Sequence, residues 1–211
     1  MKVIHKIPAA RQGRLVAAAL CLITLSACSG LRPAATPQPA FYSLDSTRAG
    51  VPTVAPMAAP TLIINPPHAA AGFDSSRIIY VRENHKLEYF AHSEWVDPPA
   101  RMLGPLLVAA VERTGAFRSV VLAPGAAAGD LRLDTEIIRL QHEFQSSPSR
   151  VRFTLRAYLV DDKTRRVLAW REFDSAVAAT SEDPYGGVLA ANLAVQAVLE
   201  NLSQFLAERQ K

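Results

Sequence analysis

Leu25-Ser26-Ala27-Cys28 is the stretch whose residue types and spacing commit this chain to a covalent event. It closes an apolar run, Leu15 to Leu25, that follows a basic start with Lys2, Lys6, Arg11 and Arg14. A basic segment, a short apolar segment and small residues before the cut describe a removable export signal, since a membrane-spanning helix needs ~20 apolar residues. Small residues directly before a cysteine add a lipoprotein cleavage box. The chemistry expected is removal of residues 1–27 and acylation of Cys28, through a thioether diacylglycerol and an amide-linked acyl chain. Each buried CH₂ contributes about 0.8 kcal/mol, so several tails hold a protein on its membrane where one tail anchors only marginally. Cys21 leaves with the signal, so Cys28 is the lone mature thiol and no internal disulfide can form.

Elsewhere the residues that could do chemistry are not spaced to do it. His68, His85, His92 and His142 show no H-E-x-x-H spacing, and no cysteine pair is left to complete a zinc site. No G-x-S-x-G elbow occurs. The glycines of Pro124-Gly125-Ala126-Ala127-Ala128-Gly129 lack the Lys-Ser/Thr that a phosphate loop requires. Asp161-Asp162 and Glu182-Asp183 sit at expected turns, where capping is their ordinary work. An enzyme is disfavoured, and no cofactor is expected beyond the covalent lipid on Cys28. The formal net charge of +4 belongs to Lys2, Lys6, Arg11 and Arg14, so the mature chain is neutral overall. A neutral chain offers no net field to hold nucleic acid, which is excluded as a partner.

The elements follow from composition and periodicity. Residues 28–60 carry Pro33, Pro37, Pro39, Pro52, Pro56 and Pro60 among alanines and read as an extended tether, ~3.1 Å per residue. Within it Phe41-Tyr42-Ser43-Leu44 is either a short edge strand of the domain or a partner contact. Thr61 to Ile64 is a β-rich run stopped by Pro66-Pro67. Arg77 to Val81 and Lys86 to Phe90 predict a hairpin with a three- or four-residue turn at Asn84-His85. Asp97-Pro98 reads as an N-cap and first helical residue, opening a helix toward Gly115 that Pro105 should kink or delay. Trp95, just before it, is either a packing anchor or a contact residue. Phe117 to Leu122 is a strand candidate.

From Leu131 the chain alternates apolar and polar residues, with a change of phase at Ile137-Ile138 that predicts a β-bulge. Val151 to Leu159 and Arg166 to Val177 complete an antiparallel meander, half buried. Arg150, Arg152 and Arg156 share one strand face and are expected to pair with Asp134, Glu136, Glu172 and Asp174 on neighbouring strands. After Asp183-Pro184 comes a long amphipathic helix, with Val188, Ala191, Val195, Val198, Leu202 and Phe205 as its stripe and Leu189, Leu193 and Leu206 widening it. The fold class expected is α+β: an antiparallel or mixed sheet with two main helices on one face, a two-layer sandwich. Ala109, Ala110, Ala191, Ala194 and Ala197 let the helices approach closely, which disfavours a ligand cavity of several hundred Å³ between the layers.

The lipobox, the Pro-rich tether, Phe41-Tyr42-Ser43-Leu44-Asp45, Arg77-Ile78-Ile79-Tyr80, Leu87-Glu88-Tyr89, Trp95 and the closing helix with Ala190-Ala191, taken in order, resemble the ABC-type transport auxiliary lipoproteins, the PqiC-like family. The resemblance implies a signal over 1–27, a lipidated tether over 28–60 and an auxiliary domain over 61–211. It implies a non-catalytic adaptor of an MCE-type system that moves lipids or other hydrophobic molecules between inner and outer membranes. The partners it implies are the bilayer, through Cys28, and an MCE-domain protein with its ABC permease and ATPase; self-association into a ring is compatible with it. Ser29 replaces the aspartate that retains many lipoproteins on the inner membrane, so the chain is similar to those sorted to the periplasmic face of the outer membrane. Phe41, Tyr42, Leu44 and Trp95 are the candidate partner contacts. The alternative function is a periplasmic lipoprotein that itself carries a hydrophobic ligand.

Overall fold

The computed structural model describes residues 38–45, 53–125 and 128–210, and all of these but Gln38 belong to one unit, Pro39–Lys211. Its strands are β1 (Ala40–Tyr42), β2 (Thr61–Ile64), β3 (His68–Ala69), β4 (Arg77–Val81), β5 (Glu88–Trp95), β6 (Ser119–Leu122), β7 (Leu131–Glu143), β8 (Arg150–Asp161) and β9 (Val167–Ala178). Its helices are α1 (Pro99–Glu112) and α2 (Pro184–Glu208). The nine described strands form one mixed sheet, so the α+β expectation holds.

Strand β7 is the spine. On one side it pairs with β8 along its whole length, antiparallel, and β8 pairs in turn with β9, the expected meander. On its other side three short strands lie parallel to it in succession: β2 against Leu131–Leu133, β3 against Glu136–Ile137 and β4 against His142–Glu143. Beyond β2 lies β6; beyond β4 lie β5 and then β1. The register of β7 slips between Ile137 and Arg139, as the change of phase predicts. A bulge opposes two residues to one, so the inward face moves from Leu131, Leu133, Thr135 and Ile137 to Leu140 and His142.

Several expectations are corrected. The β4–β5 connection is longer than a tight turn: β5 starts only at Glu88, and the loop contains His85 at φ +67°. The loop is closed by a two-pronged Arg82–Glu88 pair, Nη2 to Oε1 2.6 Å and Nε to Oε2 3.0 Å. Helix α1 takes Pro98, not Asp97, as its N-cap, with Pro99 as the first helical residue and no side-chain cap. Asp97 instead meets Arg101 at 3.2 Å. The helix neither starts late nor stops at Pro105, which lies inside it on the exposed side, where the carbonyl that loses its donor faces water. It ends at Glu112; Gly115 then turns the chain at φ +64°, a conformation open to glycine, with a Cβ there 2.8 Å from Thr53. Strand β9, the outer strand of the meander, still turns one face to the core, with Phe173 buried and Ala169 and Val177 partly buried against it.

Helix α2 begins as expected. The Asp183 side chain accepts from the Gly186 N–H at 2.8 Å, and Pro184 supplies the first helical residue. Both helices and the inward residues of the strands share one core, with Leu62, Ile64, Leu103, Leu133, Phe153 and Leu202 fully enclosed.

Candidate anchoring and docking surface

Cys28 lies outside the described residues. The folded unit takes up the chain through β1, which starts at Ala40, a parallel edge strand on β5 that sets Phe41 opposite Glu94 and Tyr42 opposite Trp95. Alternation along a strand turns Tyr42 inward with the buried Trp95 and leaves Phe41 outward and exposed. Leu44 is also buried, against Met102. Asn192 of α2 fastens the segment: its Oδ1 accepts from the Asp45 N–H at 2.6 Å and its Nδ2 donates to the Ser43 carbonyl at 3.3 Å. Of the four candidate contacts, Leu44 and Trp95 therefore pack inside the chain, Tyr42 is half-buried beside Tyr185, and Phe41 is open to solvent.

One cluster, with His142 and Ser149 buried and Glu182 exposed, has the residue types of a hydrolytic site. His142 Nε2 lies 2.8 Å from Ser149 Oγ, and Glu182 Oε1 accepts from the Ser149 N–H at 2.9 Å. Access decides against nucleophilic work, since Ser149 is 0% and His142 2% exposed. The gap beside them, lined by Trp95, Leu140, Val151 and Gly187 among others, holds about 10 Å³, at most one water. Burial pushes the His142 imidazole below its ordinary range, although Glu182 and Asp183 nearby act the other way. Hydrogen bonds from Ser149 hold Glu182 below the usual carboxylate range, and the Gly186 N–H does the same for Asp183. The cluster thus ties β7, β8 and the start of α2 together. Sequence reading missed it because the three residues are distant along the chain; the available signal was the bulge, which puts position 142 on the inward face with Leu140. Among the described residues no group of three or more His, Cys, Asp and Glu could hold a metal, and no helix is long and apolar enough to cross a membrane.

The outer face of the meander carries the expected charge pairs at Arg152 and Arg156 but not at Asp134, which accepts from Asn65 Nδ2 at 2.5 Å. Arg152 meets Asp174 at 3.1 Å and Glu143 at 3.3 Å, and Arg156 meets Glu172 at 3.0 Å and Glu136 at 3.6 Å. Arg132 turns instead to Asp162, its Nε 2.8 Å from Oδ1, while Arg150 donates to Ser146 Oγ. These arginines are engaged within the chain.

Helix α2 departs from expectation in a way that bears on docking. Leu206 is buried, but Leu189 and Leu193 are 38% and 53% exposed, and Tyr185 is 57% exposed. At steps of four residues the three form an apolar stripe facing away from the core.

The chain belongs to the ABC-type transport auxiliary lipoprotein component family, whose model matches residues 42–203. No curated protein sequence matches it. Its fold is similar to that of protein XCC0632 from Xanthomonas campestris, with 24% identity, a TM-score of 0.66, and 81% of this chain and 97% of that chain covered. It is also similar to an uncharacterized protein of solved structure, with 13% identity, a TM-score of 0.62, and 80% and 99% covered.

Proposed function

We propose that the mature protein is held at the periplasmic face of the outer membrane by an acylated Cys28. There it serves as a non-catalytic adaptor of an MCE-type ABC transport system for lipids or other hydrophobic molecules. The observation that carries this reading is the family match over residues 42–203. The lipobox supplies the anchor, and the neutral mature chain fits a protein partner better than a nucleic acid. The competing reading, a carrier of its own ligand, needs a cavity of several hundred Å³. The gap between sheet and α2 holds about 10 Å³, which speaks against a site between the layers, and the apolar space of about 500 Å³ between Pro56–Pro60 and Thr114–Ala116 is a groove open to solvent, not an enclosed cavity. The energy and the pore of transport then come from the permease and ATPase, and this chain positions the MCE-domain protein against the membrane.

The test is to isolate the native protein from its own envelope. Intact mass should report an acylated Cys28, and Cys28→Ala should release the protein from the outer-membrane fraction. Affinity purification should bring down an MCE-domain protein together with its permease and ATPase. An unmodified mature N-terminus, or purification free of that partner, would overturn the reading.

A further inference from the structure

The edge of the sheet at β1, where the chain arriving from Cys28 joins the folded unit, is rimmed on both faces by exposed apolar side chains. On the helical side stand Tyr185, Leu189 and Leu193. On the opposite side Phe41 is exposed, and so is Val96, whose N–H donates to the Tyr42 carbonyl at 2.8 Å. Asn192, adjacent to Leu193, holds Ser43 and Asp45, so the stripe on α2 runs beside the end of β1. Building on the anchored reading above, we infer that this edge rests in the headgroup boundary of the bilayer that carries the acyl chains, with a zwitterionic lipid surface as its occupant.

Three observations select that occupant. The first is reach. Thirteen peptide steps separate Cys28 from Phe41, and at ~3.3–3.6 Å per step the link spans at most about 45 Å. That is comparable to the diameter of a domain of this size, whose radius of gyration is ~15 Å. The β1 edge is the point at which that link enters the unit, so it can reach the bilayer with the link far from fully extended, while β9 lies across the sheet. The second is area. Five side chains present on the order of 500 Å², all of it apolar where an ~800 Å² protein–protein patch is only a little over half non-polar, and such a patch is enough for an anchored protein that needs only to settle. The third is charge. The ionisable groups bordering the edge, Asp45, Glu94, Asp183 and the Asp97–Arg101 pair, are mostly acidic, which fits phosphatidylethanolamine and repels a strongly anionic leaflet. Tyr185 and Phe41 supply the aromatic side chains that favour the membrane–water boundary.

Cys28 is the only cysteine after residue 27, so Leu193→Cys or Leu168→Cys gives the acylated full chain one free thiol for an environment-sensitive dye. Both positions are exposed leucines, and Leu168 on β9 is the control. The labelled proteins are reconstituted in phosphatidylethanolamine vesicles containing a minor fraction of phosphatidylglycerol, with and without doxyl-labelled acyl chains. At position 193 the emission should shift to the blue and be roughly halved by the doxyl lipid, because an apolar face at this boundary sits about 5–10 Å deep. At position 168 it should not change. Equal or absent quenching at the two positions overturns the inference. So does self-quenching at 193 that follows the protein-to-lipid ratio and ignores the doxyl lipid, which would mean that a second copy covers the edge. Flotation of the same samples separates the two readings: a chain that floats but is not quenched loses only the docked edge, and one that does not float loses the anchor as well.

Discussion

His142 of β7 and Ser149, the residue just ahead of β8, lie 2.8 Å apart, Nε2 to Oγ, with both side chains shut away from water and Nδ1 of the histidine lacking a hydrogen-bond partner. Their first consequence is thermodynamic. Burial holds the folded-state affinity of His142 for a proton below the ordinary value of 6.5. As pH falls through 6.5 the unfolded chain binds that proton and the folded chain does not, so stability falls. Glu182 and Asp183, the acidic groups facing this ring, contribute their own loss only below their ordinary values of 4.5 and 3.8. Thermal melts between neutral pH and about pH 5 should therefore show a falling Tm, and His142→Gln should flatten that slope. A slope unchanged in the variant would show that another group titrates.

Gly187 is where α2 passes against the same ring. A Cβ there would stand 2.5 Å from His142 Nδ1 and 3.0 Å from Cε1, and the ring cannot retreat because Phe144 lies 4.1 Å away, centroid to centroid. Gly187→Ala should cost about 1–3 kcal/mol. Urea denaturation measures it, and His142→Ser in the same chain should recover part of the loss, since the two changes share one contact.

Leu193 and Leu202 test the two faces of α2. Both are leucines in the same helix, so helix propensity cancels between them. Leu202 is fully enclosed, and Leu202→Ala should cost about 2–5 kcal/mol. Leu193→Ala should stay within about 0.5 kcal/mol in the isolated protein. Comparable losses at both positions would show that the stripe is part of the core.

Pro105 cannot donate to the carbonyl of Arg101, one turn earlier, and its side chain lies on the exposed side of α1. Pro105→Ala restores the donor without disturbing the packing of Leu103 and Leu107. A gain of about 1–2 kcal/mol is expected in denaturant unfolding, reduced from the full proline penalty by the freer unfolded chain.

What could be read from the sequence was what depends on neighbours along the chain. The bulge at Ile137-Ile138 showed as a change of phase, the start of α2 as Asp183-Pro184, and the charge pairs of Arg152 and Arg156 as opposite signs on facing strands. The three parallel pairings on one side of β7 did not show, because a parallel ladder joins segments far apart and leaves no local signature. Leu189 and Leu193 were read as core because residue type alone cannot say which part of a wide apolar stripe the sheet covers. The His142–Ser149–Glu182 cluster draws on three separate segments, and only the parity of position 142 pointed inward.

The placement of β7 also orders events during synthesis and export. Strand β3 has no mate other than β7, while β2 and β4 each leave one margin bare until Leu131–Glu143 arrives. A polypeptide halted before residue 131 thus holds sticky, half-zipped segments such as Thr61–Ile64, prone to clump with its neighbours. Completion of the sheet must wait for the later part of the chain, from Leu131 onward.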